Sequence, residues 1–89
     1  DLIIQLVDIT SPNFEEEIEI VYKELREECE NIPKLLVFNK IDQTNQFHLN
    51  RVKALFPHAI FISAKEKIGI EDLKERVILN YEKWKNTHK

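Results

Sequence analysis

The sequence predicts an α/β fold, a parallel sheet in a three-layer arrangement built from a strand–helix unit repeated three times. Three observations predict it. Apolar runs at residues 2–7, 35–38 and 59–62 are too short for helices, are rich in Ile, Val, Leu and Phe, and end in polar residues. Each run is followed by a stretch whose apolar residues recur at helical spacing. The runs are almost continuously apolar, broken only by Gln5, which is the pattern of parallel strands covered on both faces.

Taken in order, the first run reads as a strand that ends in Asp8-Ile9-Thr10-Ser11. Phe14, Ile18, Val21, Leu25 and Cys29 then form one helical stripe, with glutamates on the other faces. Asn13 with Glu16 fits a capping box, and Ser11-Pro12 is a competing start. The second strand runs into Asn39-Lys40-Ile41-Asp42. The second helix, about residues 46–56, places Leu49, Val52 and Phe56 on one face and stops at Pro57. A third strand leads to Ser63-Ala64-Lys65. The last helix begins near Ile70, just after Gly69, with Leu73, Val77, Tyr81 and Trp84 on one stripe. Lys83, Lys85 and Lys89 beside Trp84 read as a frayed helix end, with contact to RNA as the alternative. Trp84 reads as packing on the sheet and Cys29 as a packing residue.

Composition narrows the function classes. Eighty-nine residues make one compact unit at most, with 43% hydrophobic and 33% charged residues, which suits a soluble globular chain. A single glycine leaves no place in these residues for a glycine-rich phosphate loop. One cysteine fits a reducing compartment, and the N-terminal residues show no signal-peptide pattern, so the expected location is cytoplasmic. No apolar run approaches the roughly 20 residues of a membrane span. The net charge of −3 argues against a general nucleic-acid binder. It hides a split, because residues 1–30 hold ten acids and two bases, and residues 31–89 hold six acids and eleven bases. His48, His58 and His88 share no ligand spacing, so no metal site is expected.

Topology adds an expectation. With the strands neighbours in chain order, right-handed crossovers put the first two helices on one face of the sheet and leave the last to cover the other. The strands are apolar on both faces and one helix covers about two of them, so cover is missing beside the first strand and under the sheet. That strand also presents a charge-free edge, open to self-association.

In an open parallel sheet, ligands bind beyond the carboxyl ends of the strands. All three polar clusters therefore lie along one rim. Asn39-Lys40-Ile41-Asp42 is Asn-Lys-x-Asp directly after a strand, the guanine-recognition motif of P-loop GTPases. A carboxylate is acceptor-only, so Asp42 can take hydrogen bonds from the N1–H and N2 amino group of guanine, a donor pair that adenine lacks. The Lys40 stem can lie along the base with its ammonium in water. Asn39 can tie the loop to its neighbours. At the next strand end, Ser63-Ala64-Lys65 is similar to the second base-binding element of those proteins. There the Ala64 N–H would meet guanine O6 and the Lys65 stem would cover the other base face. The plainer alternative is a solvated turn with surface lysines and Asp42 capping the following helix. Asp8, on the same rim, either helps position a phosphate loop or caps the turn after it.

The N-terminal third narrows the resemblance. Residues 1–8, followed by Ser11-Pro12-Asn13-Phe14-Glu15-Glu16-Glu17-Ile18, resemble HflX-type GTPases of the Era-like/Obg–HflX class, whose strand ends Val-Val-Asp-Ala-Ser before Asp-Pro-Asn-Phe-Glu-Glu-Gln-Ile. Lys34 to Asp42 and Phe61 to Lys65 continue the likeness. Ser11 stands where an acid is common, and the turn after Lys65 keeps one glycine of a usually glycine-rich stretch. The resemblance implies that residues 1–89 are the C-terminal, guanine-specificity half of a partial P-loop NTPase G domain, without the phosphate-binding half. It implies a parent GTPase that binds GTP or GDP with Mg²⁺, for which these residues supply no ligands, and that associates with the large ribosomal subunit. The chain alone is then expected to be inactive. Era-like and MnmE-type GTPases share the base motifs, and a non-catalytic interaction module of the same shape is the alternative from another class.

Overall fold

The computed structural model describes residues 2–28 and 34–87. Three parallel strands form one sheet in the order β1-β2-β3, with β1 at Ile3–Asp8, β2 at Lys34–Asn39 and β3 at Ile60–Phe61. Helix α1 (Phe14–Glu28) joins β1 to β2, α2 (Gln46–Leu55) precedes β3, and α3 (Ile70–Thr87) follows it. A short 3₁₀ turn, Ile41–Gln43, lies between β2 and α2. β1 and β2 each extend into the polar residue that ends the apolar run. Ladder hydrogen bonds are made by backbone, so side-chain polarity does not stop a strand. β3 is shorter than residues 59–62, although the Ile62 N–H still reaches the Phe38 carbonyl at 2.8 Å. Beyond it the chain turns into a closed loop, where Ser63 and Ile68 exchange two hydrogen bonds of 3.0 Å.

Helix signals fall close to where the sequence puts them. α1 starts at Phe14, so Asn13 rather than Ser11 takes the capping position, and its carbonyl accepts from the Glu17 N–H at 3.2 Å. Asn45 caps α2 through its side chain, which accepts from the His48 N–H at 2.7 Å. α2 ends at Leu55, ahead of Pro57.

The two faces of the sheet carry separate cores, as the crossover rule requires. On one face, α1 brings Phe14 and Ile18, and α2 brings Val52, against Val7, Leu36 and Phe38. Phe38 is fully buried and is the aromatic centre of this layer, with its ring 5.5 Å from Phe14, 5.3 Å from Phe56 and 5.2 Å from Phe61. On the other face, Ile70, Leu73 and Val77 of α3 pack on Leu35, Val37, Ile60 and Ile62. That helix covers β2 and β3 and stops short of β1. Ile4 and Leu6, the register partners of buried Leu35 and Val37, are 47% and 63% exposed. The cover that topology finds missing under the sheet is thus missing at β1.

One stripe position departs from expectation. Tyr81 is exposed. An 18-residue helix is about 27 Å long, whereas the 6-residue strand β2 spans about 20 Å, so the last turns of α3 run past the sheet. The expected packing of Leu25, Cys29 and Trp84 lies outside the described side chains. Among the described residues, no helix is long and apolar enough to cross a membrane.

Gly69 has φ 76°, and a Cβ at this position would clash with the Phe61 carbonyl oxygen. The turn into α3 thus requires both a left-handed backbone and the absence of a side chain. Gly69→Ala should destabilise the fold by about 1–3 kcal/mol, read as a lower urea midpoint with an unchanged slope.

Candidate functional site

The rim is built from the ends of the three strands. Pairing of Asp8 with Asn39 sets the ends of β1 and β2 side by side, and the Ile9 N–H extends the ladder to the Asn39 carbonyl at 3.1 Å. After Asn39 the chain reverses at Lys40, which takes a left-handed conformation with φ 69°. A residue with a Cβ pays for that geometry unless something holds it. Here the side-chain carbonyl of Asn39 accepts the Lys40 N–H at 2.8 Å. The same oxygen accepts the Ala64 N–H at 3.1 Å, from the loop after β3. One side chain therefore joins the two motif loops.

A second link runs beneath the first. The Ser63 hydroxyl donates to Asp42 Oδ1 at 2.6 Å and accepts the Glu66 N–H at 3.1 Å. Ser63 is fully buried, while Asp42 sits exposed on the 3₁₀ turn. A carboxylate has about four acceptor positions, so one hydroxyl leaves capacity for a pair of N–H donors. The reading of Asp42 as the cap of α2 does not hold, because Asn45 fills that place.

Of the six sequence-predicted site residues, Asn39, Lys40, Asp42, Ser63 and Ala64 are tied together by these bonds. Lys65 lies exposed in the turn that follows. The Ala64 N–H, expected to face a ligand, is held by Asn39 in this structure. The Lys40 ammonium, expected in water, pairs with Asp8 Oδ2 at 3.0 Å and remains partly exposed.

Asp8 caps its turn and also joins the rim. Its Oδ1 accepts the Thr10 hydroxyl at 2.6 Å and the Thr10 N–H at 2.9 Å. The Thr10 hydroxyl, then the Thr10 N–H, then the Lys40 ammonium pull its carboxyl down from 3.8 to about 2. Thr10 escaped the reading of candidate residues, although Asp-x-Thr after a strand is an Asx-turn signal. A cavity of about 490 Å³ opens beside the rim, lined among others by Thr10, Asn13, His48 and Arg51, and none of the six site residues lines it. Arg51 there pairs with Glu15 at 3.0 Å, and His48 Nε2 lies 3.1 Å from the Ile9 carbonyl. Among the described residues, no group of three or more His, Cys, Asp or Glu could hold a metal ion.

Comparison with known proteins adds the following. A family model described as the C-terminal region of the MMR_HSR1 domain matches residues 7–82. The GTPase HflX of Caldanaerobacter subterraneus subsp. tengcongensis is 37% identical over 78 residues, covering 86% of this chain and 17% of that protein. The tRNA modification GTPase MnmE of Flavobacterium psychrophilum is 37% identical over 46 residues, covering 52% of this chain and 10% of that protein. The chain thus spans a small part of the length of each relative.

Two measurements check the geometry. Because the folded-state pKa of Asp8 is depressed, its contacts stabilise the fold fully above pH 3.8 and lose that effect as the pH falls through about 2. An NMR titration should place Asp8 near 2, and Thr10→Val should move the midpoint back towards 3.8. Ser63→Ala removes a buried hydroxyl that serves two partners and should cost about 1–2 kcal/mol in urea unfolding.

Proposed function

Since this chain belongs to the family of C-terminal regions of the MMR_HSR1 domain and is the C-terminal G-domain region of an HflX-type GTPase, we propose that its rim reads the guanine base of GTP or GDP. Asp42 accepts from the base N1–H and N2 amino group, and Ser63 orients that carboxylate. Lys40 and Lys65 cover the two faces of the base with their stems. Ala64 offers its N–H to O6 by giving up its bond to Asn39, which then supports the loop through Lys40 alone. The observation that carries this reading is the double link Asn39–Ala64 and Ser63–Asp42, which brings both motifs into one place at adjacent strand ends.

The selectivity follows from the cost of an unpaired group. Adenine would leave the Asp42 carboxylate without its two donors, and sites built on such hydrogen bonds reject the wrong partner by roughly 10⁴-fold or more. Turnover needs more than this rim. Phosphoryl transfer in P-loop enzymes uses a loop backbone, its lysine and Mg²⁺, and a chain with one glycine carries no such loop motif. Residues 1–89 are thus the guanine-specificity half of a G domain, and the phosphate-binding half packs beside β1. The exposed Ile4 and Leu6 support that division. Without that half, the same charge-free edge suits pairing with a second copy. The complete protein is a cytoplasmic GTPase that requires Mg²⁺ and, by its likeness to HflX-type proteins, works on the large ribosomal subunit.

The test is nucleotide choice. In the complete protein, Asp42→Asn presents an amide donor where xanthine has a carbonyl. The preference for GDP over XDP should collapse to parity or invert, and an unchanged ranking refutes the base reading. These 89 residues alone should show no GTP turnover and weak or no binding of a fluorescent guanine nucleotide. If the complete protein also bound none in the presence of Mg²⁺, a non-catalytic interaction module would be the better description.

A further inference from the structure

We infer that Asp8 is a positioning residue for Lys40, fixing where the lysine stem lies in the base site. The inference deepens the guanine reading and rests on it. Asp8 is on β1, outside both base motifs, and reaches the site through the ion pair of its Oδ2 with Lys40 Nζ at 3.0 Å.

An exposed ion pair ordinarily counts for little, because two long side chains must be ordered to make it. This pair is ordered from both ends. The Thr10 hydroxyl and N–H, at 2.6 and 2.9 Å, hold Oδ1 and so set the direction of Oδ2. The Asp8 backbone is fixed by its register with Asn39. On the other side, the Lys40 backbone is held left-handed by the Asn39 side chain at 2.8 Å. The lysine is thus anchored at its N–H and at its ammonium, with its methylene stem stretched between the two.

The direction of that stretch matters for the site. The strand order β1-β2-β3 puts Asp8 and Ser63 on opposite sides of Lys40. The ammonium is drawn towards β1, away from the Asp42–Ser63 pair. The stem, and not the charge, is left on the side of the Asp42–Ser63 pair, where its methylenes can lie along the base while the ammonium stays at the outer edge. Neutralising Asp8 releases the ammonium and returns rotamer freedom to the stem, which nucleotide binding must then remove.

The experiment is a double-mutant cycle on GDP affinity in the complete protein, using Asp8→Asn, Lys40→Met and both together. Asn keeps an oxygen for Thr10 and removes the charge. Met keeps an apolar stem and removes the ammonium. Asp8→Asn alone should weaken GDP binding by about two- to fivefold. In the Lys40→Met background it should have no further effect. An equal loss in both backgrounds would mean that Asp8 acts through its turn alone, and an unchanged affinity in the single variant would mean that it does not act; either overturns the inference. Asp42→Asn separates the two levels. If it leaves the GDP-to-XDP ranking unchanged, the base reading fails, and the inference falls with it whatever Asp8 does.

Discussion

The side-chain carbonyl of Asn39 is the constraint on which the rim depends. Its two bonds, to the Lys40 N–H and the Ala64 N–H, hold a left-handed residue in place and join loops that are 25 residues apart in sequence. Without it, Lys40 would have little reason to keep φ 69°, and the 3₁₀ turn that carries Asp42 would lose its starting direction. The Ser63–Asp42 bond then completes a second crossing between the same loops. An amide oxygen suits the task because it is uncharged and can serve two donors at once.

Beneath the rim, the sheet supplies what this small network cannot. Phe38 immediately precedes Asn39 and is packed against the rings of Phe14 in α1, Phe56 just after α2, and Phe61 in β3. The end of β2 therefore cannot shift without disturbing the core, and close-packed interiors resist such shifts. Val37, on the opposite face, is equally buried under α3. β1 is held differently. It has a partner on one edge and a helical layer on one face, and Ile4 and Leu6 remain exposed. The strand that is least covered is the one whose end carries Asp8, so the charge pair with Lys40 spans the boundary between the well-packed and the poorly covered parts of the sheet.

Much of this was legible in the chain. The three apolar runs marked the strands, and the spacing of Phe14 with Ile18, of Leu49 with Val52, and of Leu73 with Val77 marked the faces that are buried. Gly69 was placed in its turn. The crossover rule led from element order to two helices on one face, because handedness is a property of every L-peptide chain. The two-sided apolarity of the strands then left cover missing beside the first strand and under the sheet. Other features were not legible. Tyr81 shares the helical period of Leu73 and Val77, but where a sheet stops beneath a helix is not written in that period. The left-handed Lys40 was invisible too, since the bond that stabilises it comes from a side-chain rotamer. Strand ends differ from the ends of the apolar runs by one residue because backbone pairing, rather than apolarity, sets them.

By itself, then, the sequence determined the fold class, the positions of the elements and the residue types on the rim. Those follow from local periodicity and from the chemistry of Asn-Lys-x-Asp and Ser-Ala-Lys, which act over a few residues. Tertiary structure alone decided which atoms meet: Asn39 with Ala64, Ser63 with Asp42, and Asp8 with Lys40. The reason is that each of these contacts joins different strand ends, and their distances depend on register, twist and packing across the whole sheet. A motif can name the participants. The sheet sets the few ångströms between them.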